Sequence, residues 1–120
     1  MRPAQVDEVA HTAFEVLNKC PGDSDLEVKK AKRLEYGAGF MKTAMEFLEG
    51  RMAEAERPFL LASGLSLADL QVFTLTDMIL AGDFDHIDPG YMDAYPRLME
   101  SHRAVKTHSL VADYLANYPN

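Results

Sequence analysis

The sequence predicts an all-α fold, a single-domain five-helix bundle spanning residues 1–120. Apolar residues recur at steps of three and four, a strict two-residue alternation is never sustained, and capping or proline signals separate the periodic stretches. A chain of 120 residues is long enough for one self-sufficient core, burying roughly two-thirds of the surface it exposes when unfolded.

The first helix is expected from about Ala4 to Lys19, with a stripe of Val6, Val9/Ala10, Ala13, Leu17 and Cys20. Pro21-Gly22 ends it, because proline cannot continue the hydrogen-bond ladder and glycine tolerates the reversal. Ser24-Asp25-Leu26-Glu27 reads as a capping box opening a second, long helix from about Asp25 to Ala55. Asp23, Asp25 and Glu27 sit at the positive end of its dipole. Its seam is Leu34, Ala38, Met41, Met45, Leu48 and Met52, with Tyr36, Phe40, Thr43 and Phe47 in a row beside it.

Glu56-Arg57-Pro58 breaks the pattern, and Phe59-Leu60-Leu61 follows as a short apolar connector. Ser66-Leu67-Ala68-Asp69 then restarts a helix as a second capping box, and Leu65 before the cap can staple onto Leu70. Nine of the fifteen residues from Ser66 to Leu80 are apolar and spread around the circumference, which predicts a helix buried on all sides. Asp69 would be buried with it, tolerable only if backbone amides satisfy the carboxylate. A turn-rich stretch runs from Gly82 to Gly90. A shorter helix from about Pro96 to Val105 has proline at its first position, and a last one covers about Ser109 to Ala116 with Leu110, Val111 and Tyr114/Leu115 facing inward.

The apolar share is 48 % and the charged share 26 %, the mix of ordinary globular proteins rather than disordered or fibrous chains. Twelve Lys and Arg against nineteen Asp and Glu leave a formal charge of −7, a poor match for nucleic acid or an anionic membrane. Cys20 is the only cysteine, so an internal disulfide and a cysteine-based metal cluster are both excluded. No signal-peptide core opens the sequence, and no apolar run approaches the about 20 residues of a spanning helix. The expected compartment is the cytoplasm.

Phe59-Leu-Leu-Ala-Ser-Gly-Leu-Ser-Leu-Ala-Asp-Leu-Gln-Val-Phe73 resembles the glutathione S-transferase C-terminal domain, where an apolar connector leads into a Ser/Thr-x-Ala-Asp box opening the central helix. Tyr95-Pro96-Arg97-Leu98, Val105 and Tyr114-Leu115 are similar to the family's ending, and Ala4-Gln5-Val6-Asp7 with the 24–55 helix to its beginning. The closest likeness is to the sigma class. Two departures are Ala62, where the family often has glycine, and Ser109, where a proline usually precedes the last helix.

The resemblance implies that glutathione is the co-substrate and that the thiol-activating residue belongs to a thioredoxin-like domain. These 120 residues carry no βαβ pattern for such a domain, so no catalytic residue is assigned and the chain alone is expected to be inactive. The helical half would wall the hydrophobic electrophile site and form much of a dimer interface. On that likeness Glu15 matches an acidic position that reaches the γ-glutamyl amine of glutathione in the other subunit, and Leu17, Cys20 and Gln71 match positions of the hydrophobic pocket. A solvated helix glutamate and core packing on the first helix explain Glu15, Leu17 and Cys20 equally simply. Ser66 and Asp69 are the structural cap.

Other clusters read as ordinary surface. Counted from Asp83, the sixth and twelfth positions are Asp88 and Ala94, which breaks an EF-hand pattern and leaves Asp83, Asp85, His86 and Asp88 as an acidic turn with no metal. Lys29, Lys30, Lys32 and Arg33 follow Asp23, Asp25 and Glu27 by about a turn, so helical pairing such as Asp25 to Lys29 accounts for them. His11, His102 and His108 have no companions at ligand spacing. The expected partners are a thioredoxin-like domain, a homodimer mate or another protein subunit. The alternative function is a stand-alone, non-catalytic helical accessory subunit of a larger assembly, beginning at Met1.

Overall fold

Among the described residues, six α-helices and one 3-10 helix take the place of the five predicted helices, and each extra element has a local cause. The computed structural model describes residues 2–55, 58–61 and 64–117. Glu56, Arg57 and Ala62 of the predicted break and connector lie outside the described residues.

Helix α1 spans Pro3–Lys19. Proline fits its first turn, and the Gln5 side chain accepts from the Arg2 amide at 3.0 Å. Val9, Ala13 and Val16 are fully buried, whereas Leu17 and Cys20 are half-buried, so the core stripe runs through Val16 rather than Leu17.

Helix α2 spans Leu26–Ala38, and its cap is Asp25 rather than Ser24. Asp25 Oδ1 accepts from the amides of Glu27 at 3.0 Å and Val28 at 3.2 Å, while Asp23 Oδ1 accepts from the Asp25 amide at 2.9 Å. A carboxylate outcompetes the neighbouring hydroxyl because these bonds are charge-assisted and lie at the positive end of the helix. Since Asp25 is spent on capping, the expected Asp25–Lys29 pair does not form. Lys29 reaches Asp85 at 2.7 Å and Lys32 reaches Asp23 at 3.0 Å.

The predicted 25–55 helix is two helices. Gly39 leaves the helical conformation, with φ −109° and ψ −106°, and α3 begins at Phe40 and continues to Ala55. Met41, Met45, Leu48 and Met52 bury the α3 half of the seam completely, but Leu34 on α2 is 53 % exposed and Ala38 is exposed. Tyr36 ties α2 to α1 by donating from its hydroxyl to the Val16 carbonyl at 2.6 Å.

Helix α4 spans Leu67–Leu80 and packs most extensively on α1, with α5 (Pro96–Thr107) on its other flank. Its buried face carries Ala68, Asp69, Val72, Leu75, Thr76 and Ile79. It is not buried on all sides: Leu67 and Thr74 are exposed and Leu70 and Phe73 half-buried. Between α4 and α5, Asp88 Oδ1 accepts from the Gly90 amide at 2.7 Å and starts the 3-10 helix Pro89–Ala94. Six residues are too few to show a period in sequence. Glu49 on α3 accepts from the amides of Arg97 and Leu98, both at 2.9 Å, and so caps α5 from another helix.

Helix α6 spans Ser109–Asn117 and starts without proline, the extended backbone of His108 making the corner. The predicted inward face is corrected here. Leu110 is 70 % and Tyr114 61 % exposed, and among the described helices α5 is the one α6 packs on. The Leu115 side chain lies outside the described part.

Candidate functional site

Ser66 and Asp69 form a capping box at the buried start of α4, and Glu15, Leu17, Cys20 and Gln71 lie elsewhere. At the cap, Asp69 is wholly buried. Its Oδ2 accepts from the Ser66 amide and hydroxyl, each at 2.8 Å, and its Oδ1 accepts from the Leu60 amide at 3.0 Å. The Ser66 hydroxyl oxygen accepts from the Asp69 amide in return at 3.3 Å. This carboxylate therefore stitches the connector before the helix to the first turn of α4, which sets the angle at which α4 enters the bundle.

That angle places Leu70, Phe73 and Thr74 on an open face. Together with Leu65 and with Leu110, Val111 and Tyr114 of α6 they line a groove of about 400 Å³. Its lining is overwhelmingly apolar. Thr74 adds no free donor, since its hydroxyl is already spent on the Leu70 carbonyl at 2.9 Å. Behind the groove, Phe73 stacks on the ring of His102 with centroids 4.9 Å apart, and His102 Nε2 lies 2.9 Å from Asp77 Oδ1. His102 thus has a companion after all, supplied by α4 across the helix interface and invisible to sequence spacing. The arrangement can hold an apolar, aromatic body against Phe73 without a strong polar anchor.

The four residues assigned to substrate do not gather in this groove. Glu15 and Leu17 lie in the C-terminal half of α1, Cys20 is the residue that ends it, and Gln71 is half-buried on α4. Glu15 is engaged within its own helix: Oε1 lies 2.7 Å from His11 Nε2 and Oε2 3.2 Å from Lys19 Nζ. The hydrogen bond from Lys19 holds its carboxyl below the usual carboxylate range. Leu17 and Cys20 pack against the core. Burial pushes the Cys20 thiol up, and the opposing pull of Arg33 and Lys29 does not overcome it. Those two cations come from α2, a neighbourhood made by helix packing.

Sequence reading missed the groove as a unit. The signal was the Leu65–Leu70 staple, both of whose members line it, but nothing in the sequence set α6 across from α4. Among the described residues no group of three or more His, Cys, Asp and Glu could hold a metal ion, and no helix is long and apolar enough to cross a membrane. Comparison with known proteins places a family model described as the glutathione S-transferase C-terminal domain over residues 13–118. No curated protein and no solved structure matches the chain.

Proposed function

Since the chain belongs to the glutathione S-transferase C-terminal domain family, we propose that it forms the helical wall of an electrophile site for glutathione conjugation. The single observation that carries this reading is the apolar groove between α4 and α6, open on one side and sized for an aromatic electrophile. Glutathione is the co-substrate, and the group that activates its thiol is supplied from outside these 120 residues, by a thioredoxin-like domain packed on this one. A second copy of the chain covers further apolar surface as dimer mate, and the assembly works in the cytoplasm.

The described side chains support the division of labour. Conjugation requires an activated thiolate held beside the electrophile. Burial raises the Tyr36 and Tyr91 phenols, and their hydroxyls already donate to the Val16 and Gly37 carbonyls, at 2.6 and 2.7 Å. The Cys20 thiol is raised as well. None of these groups is poised to lower the pKa of a bound thiol.

Purified chain with glutathione and a generic aromatic electrophile is expected to show only the uncatalysed rate. An unreactive analogue of that electrophile is expected to shift nuclear magnetic resonances of Leu65 to Thr74 and Leu110 to Tyr114. Leu110→Glu, at an exposed position that tolerates charge, should weaken that binding without unfolding the chain. Turnover by the chain alone overturns the division of labour, and an unperturbed groove overturns its role as the wall.

A further inference from the structure

A second concave surface, separate from the α4–α6 groove, lies where α2 meets the acidic turn and the 3-10 helix. It encloses about 420 Å³, with an apolar lining that includes Leu34, Ala38, Ile87 and Tyr91 and a polar one from Lys42 and His86. Its walls are fixed. Tyr91 donates to the Gly37 carbonyl at 2.7 Å, and a Cβ on Gly37 would sit 2.9 Å from Ile87 Cδ1, so the two walls meet at a position that suits glycine. Leu34 remains 53 % exposed in it because α2 turns away from the core at Gly39.

The charges around this surface are unevenly satisfied. Asp85 is held by Lys29 at 2.7 Å. Asp88, which also lines the surface, commits Oδ1 to the Gly90 amide at 2.7 Å. Lys42 makes no ion pair among the described residues, not even with Glu46 one turn further along α3. His86 is the one described non-glycine residue with positive φ, at 69°, a backbone conformation that clusters at ligand clamps. Set beside the apolar lining, the Lys42 ammonium offers an anion with an apolar body a charge-assisted partner, while Asp88 has one carboxylate oxygen turned to the Gly90 amide.

We propose that this surface binds a small monocarboxylate with an aromatic or branched apolar body. The carboxylate accepts from the Lys42 ammonium, with the His86 ring as a second donor, and the body lies against Leu34 and Ile87. This site is independent of the conjugation reading, since it shares no residue with the α4–α6 groove.

The test is a titration of isotope-labelled chain with naphthoate, followed by nuclear magnetic resonance, with naphthalenemethanol as the uncharged control. Naphthoate is expected to shift the amides of Leu34 to Lys42 and of His86 to Tyr91. Lys42→Gln should weaken it about tenfold, as expected for losing one charge-assisted hydrogen bond, and Leu34→Glu should abolish binding. Both substituted side chains are exposed, and unchanged helical circular dichroism would show that the variants are folded. Shifts confined to the α4–α6 groove, equal affinity for the uncharged control, or a Lys42→Gln variant that binds like the parent would each overturn the site.

Discussion

At Asp69 one carboxylate satisfies three donors, and one of them, the Leu60 amide, belongs to a residue only 1 % exposed. Asp69→Ala leaves that amide without an acceptor where water cannot replace it. The Ser66 N-cap hydroxyl keeps its bond to the amide of residue 69, but an unsatisfied buried donor costs roughly 1–3 kcal/mol. Asp85→Ala, by contrast, removes one exposed ion pair with Lys29. In urea melts the Asp69 variant is expected to lose several times more stability than the Asp85 variant, and equal small shifts would refute the buried cap. Acid acts on the second site in a defined direction. The hydrogen bond from Lys29 holds the Asp85 carboxyl below its ordinary value, so its contribution is present above that value and fades as pH falls through the lowered one. The pair is exposed, so added salt should shrink the effect. The phenols behave oppositely. Burial, the leading cause, raises Tyr36 and Tyr91, so their contribution is complete below the ordinary phenol value and is lost as pH rises beyond it. Alkaline titration is expected to end in a phenol-absorbance step that coincides with loss of helical circular dichroism, and Tyr36→Phe should reduce that step. Smooth ionisation of every tyrosine within a folded chain would contradict this.

The helices differ in how openly the sequence announces them. Pro3 and Pro21 bracket α1, Ser66 and Asp69 open α4, and Pro96 opens α5. Each signal acts within one turn, so local chemistry suffices to read it. Gly39 is different because the apolar period continues on both sides of it, and one long helix satisfies that pattern as well as two shorter ones. A single substitution distinguishes them. In an uninterrupted helix Gly→Ala stabilises by about 1 kcal/mol. Here a Cβ at Gly39 would sit 3.1 Å from the Glu35 carbonyl oxygen, a backbone atom that cannot swing aside. Gly39→Ala is therefore expected to lower the urea midpoint, and a raised midpoint would restore the single helix. The same break decides which side chains are available at the second concave surface, since a straight continuation would have carried Leu34 along the buried Met41–Met52 seam.

For the whole molecule, exposed large apolar residues are the outstanding feature: Phe14, Leu26, Leu34, Leu67, Leu110 and Tyr114 are each more than half exposed. Monomeric soluble proteins rarely leave contiguous apolar patches above a few hundred Å² uncovered. The dilute chain is expected to bind an apolar fluorescent dye, and sedimentation at rising concentration to show association that displaces the dye. A monodisperse monomer without dye binding would argue against a covered face. By itself the sequence determined the all-α class, the Ser66–Asp69 capping box and the family, because periodicity and capping are written in neighbours three and four residues apart. Only the tertiary structure decided that Asp77 meets His102 and that α6 lies across from α4 to form a groove. Those contacts join residues by helix packing, and sequence spacing carries no record of which exposed face will find which neighbour.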